Sequence, residues 1–100
     1  MISKRFANVA AYCVADMQKQ LNAGLGKKSY WDYIIVLNRY LIPYFGDKFV
    51  TSIDYEELQR FAKWRADKMG REPMAGTLNT HNSAPNRVFD EAVVRGYMNR

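Results

Sequence analysis

Apolar residues return at helical spacing along most of this chain. Phe6, Val9, Ala10, Cys13, Met17 and Leu21 recur with the 3.6-residue period, and Lys4, Arg5, Asp16, Lys19 and Gln20 fall mostly outside that stripe. This predicts a first helix over about 3–23, closed by the two glycines of "AGLGKK". Ser29 stands where it can cap a second helix over about 29–42, with Tyr33, Ile34, Leu37, Tyr40 and Leu41 inward. Pro43 lacks the backbone donor that a helix interior needs, so that helix is expected to stop just before it. Asp54, with Glu57 at the capping-box position, opens a third helix over about 54–69; Leu58, Phe61, Ala62 and Met69 face inward and Gly70 closes it. After a loop, "REPMAG", a fourth helix over about 77–95 carries Leu78, Ala84, Val88, Phe89, Ala92 and Val93 on one side and ends at Gly96. Pro85 within it predicts a kink near His81 and Asn82, or a helix that restarts at the proline. No segment alternates as a strand does. The expected fold is all-α, a compact bundle of four helices forming one domain over residues 1–100.

The composition narrows what such a domain does. Hydrophobic residues make up 48% of the 100-residue chain and charged ones 25%, which suits a folded domain rather than a disordered one. Lys and Arg number 15 against 10 Asp and Glu, a formal charge of +5 that suits an anionic partner. The single Cys13 has no internal disulfide partner and points to a reducing compartment. No apolar run is long enough to span a bilayer. Lys4-Arg5 before "FANVAAYCVA" has the outline of a signal peptide, but Asn8 interrupts it and the helical period continues through Leu21, so it reads as a folded helix.

The chemistry-bearing residues form no catalytic set. There is no Ser/His/Asp arrangement, no phosphate-cradling glycine loop and no paired carboxylates at a pocket-like spacing. His81 is the only histidine and lacks companion ligands, so no metal and no cofactor is expected. Tyr30, Trp31 and Trp64 fit core or core-edge positions. The unusual stretch is "TLNTHNSA", residues 77–84, with six neutral hydrogen-bonding side chains and no charge. Taken alone it is a solvated helix start, rich in natural caps.

Its surroundings give it another meaning. "RYLIPYFGDKFVTSIDYEELQRFAKWR" followed by "GTLNTHNSAPNRVFDEAVVRG" resembles the core-binding, SAM-like domain of phage integrases, the tyrosine recombinases. The resemblance rests on Tyr44-Phe45-Gly46, the helix start from Thr51 to Leu58, Phe61 with Trp64-Arg65, and Thr77 to Gly96. It covers roughly residues 24–98, with the first helix fitting more loosely. Pro85 and the low basicity of Asn79 to Asn86 depart from the family pattern.

The resemblance implies an orthogonal four-helix domain that grips one face of duplex DNA at a recombination site during integration or excision. The second and fourth helices would approach the major groove, and neighbouring protomers would be further partners. A separate domain would supply the catalytic arginines, His, Lys and tyrosine nucleophile, so this chain is expected to be a non-catalytic, monomeric fragment of a cytoplasmic, phage- or bacterium-encoded enzyme. Its start at Met1 would fit a protein without a preceding arm-binding domain. Thr77, Asn79, Asn82, Ser83 and Asn86 are then candidates for base edges and phosphates, Asn being able to bond adenine at two points. Lys27, Lys28 and Ser29 are candidates for the backbone at a helix start, where free amides also favour phosphate. Asp32, one turn on, can accept from cytosine, and Arg39, Arg71 and Arg87 are candidate phosphate contacts. Two other classes remain open. One is a helical regulator with a helix-turn-helix, for which "GREPMAG" is too long a turn; the other is a protein-interaction module whose charge is incidental.

Overall fold

The first helix, α1 (Phe6–Asn22), starts without a side-chain cap, and a distant piece of chain completes its first turn. The amides of Phe6 and Ala7 donate to the carbonyls of Lys48 and Gly46, at 2.8 and 3.1 Å, and Val50 donates back to Lys4 at 2.9 Å. Donors that every helix start leaves open are thus satisfied by the 46–50 link. Gly46 is required by the turn out of the preceding helix, since a Cβ there would lie 2.5 Å from the Ile42 carbonyl oxygen; it would lie at an ordinary 3.4 Å from the Ala7 Cβ. This computed structural model describes residues 4–71 and 73–99. The expected helix start at Ser3 lies outside them; the first described helical residue is Phe6.

Beyond α1 the order is α2 (Ser29–Val36), a π turn (Leu37–Leu41), the short α3 (Ile42–Phe45), a 3₁₀ turn (Val50–Ser52), α4 (Tyr55–Met69) and α5 (Ala75–Val94). The described residues form no strand, only an isolated bridge between Arg5 and Phe49. The radius of gyration, 13.4 Å, matches the about 13 Å of a folded 100-residue chain, so the helices make one unit. Four helical segments result, since α2, the π turn and α3 run on without a break.

That continuity corrects the stop expected before Pro43. In a regular α-helix the proline ring meets the carbonyl four residues back. Here the turn before it is widened, with the Ile42 amide donating to Leu37, five residues back, and Pro43 enters in the first turn of α3, where no donor is required. The rod therefore reaches Phe45 and delivers that ring into the core. Ser29 is not the cap of α2 either: the position is Lys28, already in helical conformation, and no side chain caps it.

Asp54 does cap α4, accepting from the Glu57 amide at 2.9 Å. The reciprocal half of the capping box is absent, because the Glu57 carboxylate turns to Arg60 at 2.6 Å and Lys48 at 3.4 Å. Arg60 above all, then Lys48, holds that carboxyl below the ordinary glutamate range. At its far end Gly70, at φ +74°, lets the Gly70 and Arg71 amides bond back to Asp67 and Ala66. Helices α1 and α5 close in the same way.

Two boundaries of the last helix differ from expectation. It begins at Ala75 rather than Thr77, with Met74 extended before it, so Ala75 and Gly76 belong to the helix and not to the loop. It also passes Pro85 without restarting. The ring is buried and lines the groove toward α4 with Leu58 and Phe61, burial that offsets part of the lost hydrogen bond. Val93, expected inward, is 38% exposed, and Val36, which was not expected there, is buried.

The core is made of Phe6, Val9, Ala10, Cys13 and Met17 from α1, Ile34, Val36, Leu37, Leu41 and Phe45 of the long rod, Val50, Phe61, and Ala84, Val88 and Ala92 of α5. Backbones pack closely where α1 meets α5, α2 and α3, and where α2 meets α5. Helix α4 joins through rings instead. Phe61 lies 5.2 Å from Phe45 and 5.5 Å from Tyr44, and Trp64 lies 5.1 Å from Tyr44. On its other side Phe45 meets Phe6 at 5.5 Å, and Phe6 meets Phe89 at 6.4 Å.

Phe45→Ala should therefore cost about 3–5 kcal/mol, a large share of what a small domain has. Hydrogen exchange should show the α4 amides, Tyr55 to Met69, losing protection before those of α1. Val94→Ala, at a position 82% exposed, should shift stability by no more than about 0.5 kcal/mol.

Candidate nucleic-acid interface

The outer side of α2 and the start of α5 border a cleft of about 360 Å³. From α2 and the π turn come Asp32, Ile35, Val36, Arg39 and Tyr40; from α5 come Gly76, Thr77, Thr80 and His81, and Met69 closes one end. Three of the sequence candidates, Asp32, Arg39 and Thr77, thus share one site although 37 residues of chain separate Arg39 from Thr77. Lys28 precedes Asp32 by one helical turn, and Lys27 and Lys28 are both exposed at the same end of the rod. Arg71 is exposed just past α4, two residues after Met69. Ser29 is half-buried in the first turn of α2.

Because α5 begins early, Thr77 lies within its first turn, where backbone amides have no intrahelical acceptor. The Thr80 hydroxyl donates to the Gly76 carbonyl at 3.3 Å, which leaves its lone pairs to accept.

The other candidates point elsewhere. Asn82 and Asn86 line a smaller groove of about 100 Å³ between α4 and α5, with Leu58, Ala62 and Arg65 opposite. Asn79 is exposed and Ser83 half-buried, neither of them lining the α2 cleft. The polar run 77–84 is therefore divided: its threonines belong to the α2 side and Asn82 to the α4 side. Arg87 is stacked on two rings, its guanidinium carbon 4.7 Å from the Tyr30 centroid and 4.6 Å from that of Tyr33. Such stacking fixes α2 to α5 and occupies the faces of the guanidinium.

The cations differ in how far the protein itself engages them. Arg60 pairs with Glu57, Lys48 with Glu57, and Arg95 with Glu91 while lying 3.7 Å over Tyr12; Lys68 lies 4.9 Å over Trp64. Among the described residues, Lys27, Lys28, Arg39 and Arg71 take part in none of these ion pairs or ring contacts, and neither do Lys4, Lys19 and Lys63. The charged side chains lining the cleft itself are Asp32 and Arg39.

Several members of the cleft, Ile35, Thr80 and His81 among them, were not among the candidate site residues. Ile35 is 51% exposed at its edge, a half-polar environment that the inward stripe of α2 gives no hint of. His81 is 2% exposed and forms a wall of both grooves, its ring 5.1 Å from Tyr40. Its Nδ1 is buried without a hydrogen-bond partner among the described residues. The described residues contain no cluster of His, Cys, Asp and Glu placed to hold a metal, and no helix long and apolar enough to cross a membrane. Burial, with Glu91 next, pushes the Cys13 thiol up to about 11, so it stays a protonated, unreactive core group. Comparison of the chain with protein-family models, with curated proteins and with solved structures finds no match.

Burial first, and the neighbouring Arg65 guanidinium second, hold the His81 imidazole below its ordinary value near 6.5. The folded state then disfavours the charged ring. Stability is full above about pH 7, where the ring is neutral folded or unfolded, and falls as pH drops through the unfolded-state value near 6.5. It levels off below the folded-state value. Melting temperatures between pH 8 and 5 should show this step, and His81→Leu should remove it without loss of stability at pH 8.

Proposed function

We propose that the chain is a DNA-binding domain of the core-binding, SAM-like kind found in tyrosine recombinases, holding one side of a recombination site. The observation that carries this is the cleft between α2 and the start of α5. It joins Asp32, Arg39, Thr77 and Thr80 across the fold, and the exposed Lys27 and Lys28 precede the helix that forms one of its walls. In the family that the sequence resembles, these two helical segments approach the major groove. The basic groups would neutralise phosphates and the shorter groups would reach base edges. The chain's share of recombination is grip and register, and strand cleavage is assigned to a separate catalytic domain. Contacts to neighbouring protomers belong to the same reading.

One observation favours a second reading. The link between α4 and α5 is Gly70 to Met74, shorter than the seven residues of "GREPMAG", so α4 and α5 come closer to a helix-turn-helix than the sequence suggested. That regulator would also use the start of α5, but it has no role for α2.

Titration with duplex DNA at several salt concentrations separates the readings. Affinity should fall with salt, each neutralised phosphate contributing a slope of about −0.9 in log K against log salt. Lys28→Ala should weaken binding and flatten the slope by about one phosphate, and Arg39→Ala should weaken binding. Lys19→Ala, on α1, should leave affinity and slope unchanged. Absence of binding at low salt would refute the DNA role, and indifference to both the Lys28 and the Arg39 substitution would favour the regulator.

A further inference from the structure

Ile35 is a large apolar residue that the fold leaves half exposed. Its neighbours Ile34, Val36 and Leu37 are buried, while Ile35 lies 51% exposed in the wall of the cleft. Asp32 and Arg39 line the same cleft, three residues before it and four after, so all three share one side of the helix. The carboxylate of Asp32 decides what kind of contact this strip makes. A phosphate seated among these groups would meet a like charge, and the cations Lys27, Lys28 and Arg71 outside the cleft serve phosphates better.

A carboxylate, a branched alkyl group and a guanidinium in a row match the edges of base pairs in a major groove. The carboxylate accepts from the cytosine amino group, the alkyl group covers the thymine methyl, and the guanidinium donates to guanine at two points. With about 1.5 Å of rise per residue, Asp32 and Arg39 stand roughly 10 Å apart along the axis, or about three base steps of roughly 3.4 Å. Ile35 falls over the pairs between. Resting on the DNA-binding reading above, we propose that Ile35 is a specificity-determining residue that recognises a thymine methyl group, between base pairs read by Asp32 and Arg39.

The test begins with selection from a randomised duplex library by the full chain, at low salt. The selected sequences should share a thymine flanked by cytosine or guanine. Replacing that thymine by uracil, which removes only the methyl, should weaken binding about fourfold, the value of one buried methyl-sized group. Ile35→Ala should bind the thymine and uracil duplexes equally, and Ile35→Val should retain part of the difference. Since Ile35 is half exposed, both variants should melt like the parent. The inference is overturned if salt-dependent binding persists but no thymine is selected, or if Ile35→Ala keeps the parent's preference for thymine over uracil. In both cases the DNA-binding reading stands. No binding to any duplex at low salt removes that reading and the inference with it.

Discussion

The buried ring of Phe45 is the contact on which the arrangement of the helices depends. It touches Phe6 of α1 on one side and Tyr44 and Phe61 on the other, so it joins the α1–α2–α5 body to α4, whose own backbone makes no comparably close packing. Ring-to-ring contacts of this kind add burial and directional preference together. Its position follows from the widened turn before Pro43, without which the rod would end before the ring. Immediately after it, the chain turns at Gly46, crosses α1 and supplies the carbonyls that complete that helix's first turn. Proline, aromatic pair and glycine are thus one device spread over four residues, from Pro43 to Gly46.

This body also creates the cleft. Arg87 stacked on Tyr30 and Tyr33 ties the middle of α5 to the start of α2, and the Tyr40 and His81 rings meet nearly two turns further toward the start of α5. The two helices are fixed at these points and leave a gap between Asp32–Arg39 and Gly76–Thr80. A groove walled by two rigid helices keeps its side chains in register better than one formed by loops. The cost is a histidine buried with an unsatisfied nitrogen beside a buried arginine, an arrangement that ordinary packing would avoid.

Much of the fold was legible because it rests on local rules. The inward stripe of α1, the Asp54 cap and the closing glycines depend on residues within a turn or two of each other, and each lies where the period and the cap chemistry place it. The stop at Pro43 and the alternative of a restart at Pro85 failed for the opposite reason. Tolerance of the two prolines depends on a change of hydrogen-bond register in one case and on burial of the ring in the other, neither of which spacing encodes. The start of α5 was placed late because Gly76 reads as loop, although a first-turn residue has no intrahelical donor bond to lose. As to the site, Asp32, Arg39 and Thr77 were legible as residue types, but their meeting in one cleft depends on how α2 packs against α5. For the same reason Arg87's engagement with two tyrosines, and the separation of Asn82 and Asn86 from the threonines, had no signal in the sequence.

The central claim is that duplex DNA lies against α2 and the start of α5. Backbone amide chemical shifts, followed by NMR as a short duplex is added at low salt, test it without any substitution. The account predicts that the largest changes fall on Lys27 to Arg39 and on Ala75 to Thr80, with α1 nearly silent. Changes concentrated on α1 or on the first turns of α4, with the cleft unaffected, would contradict it.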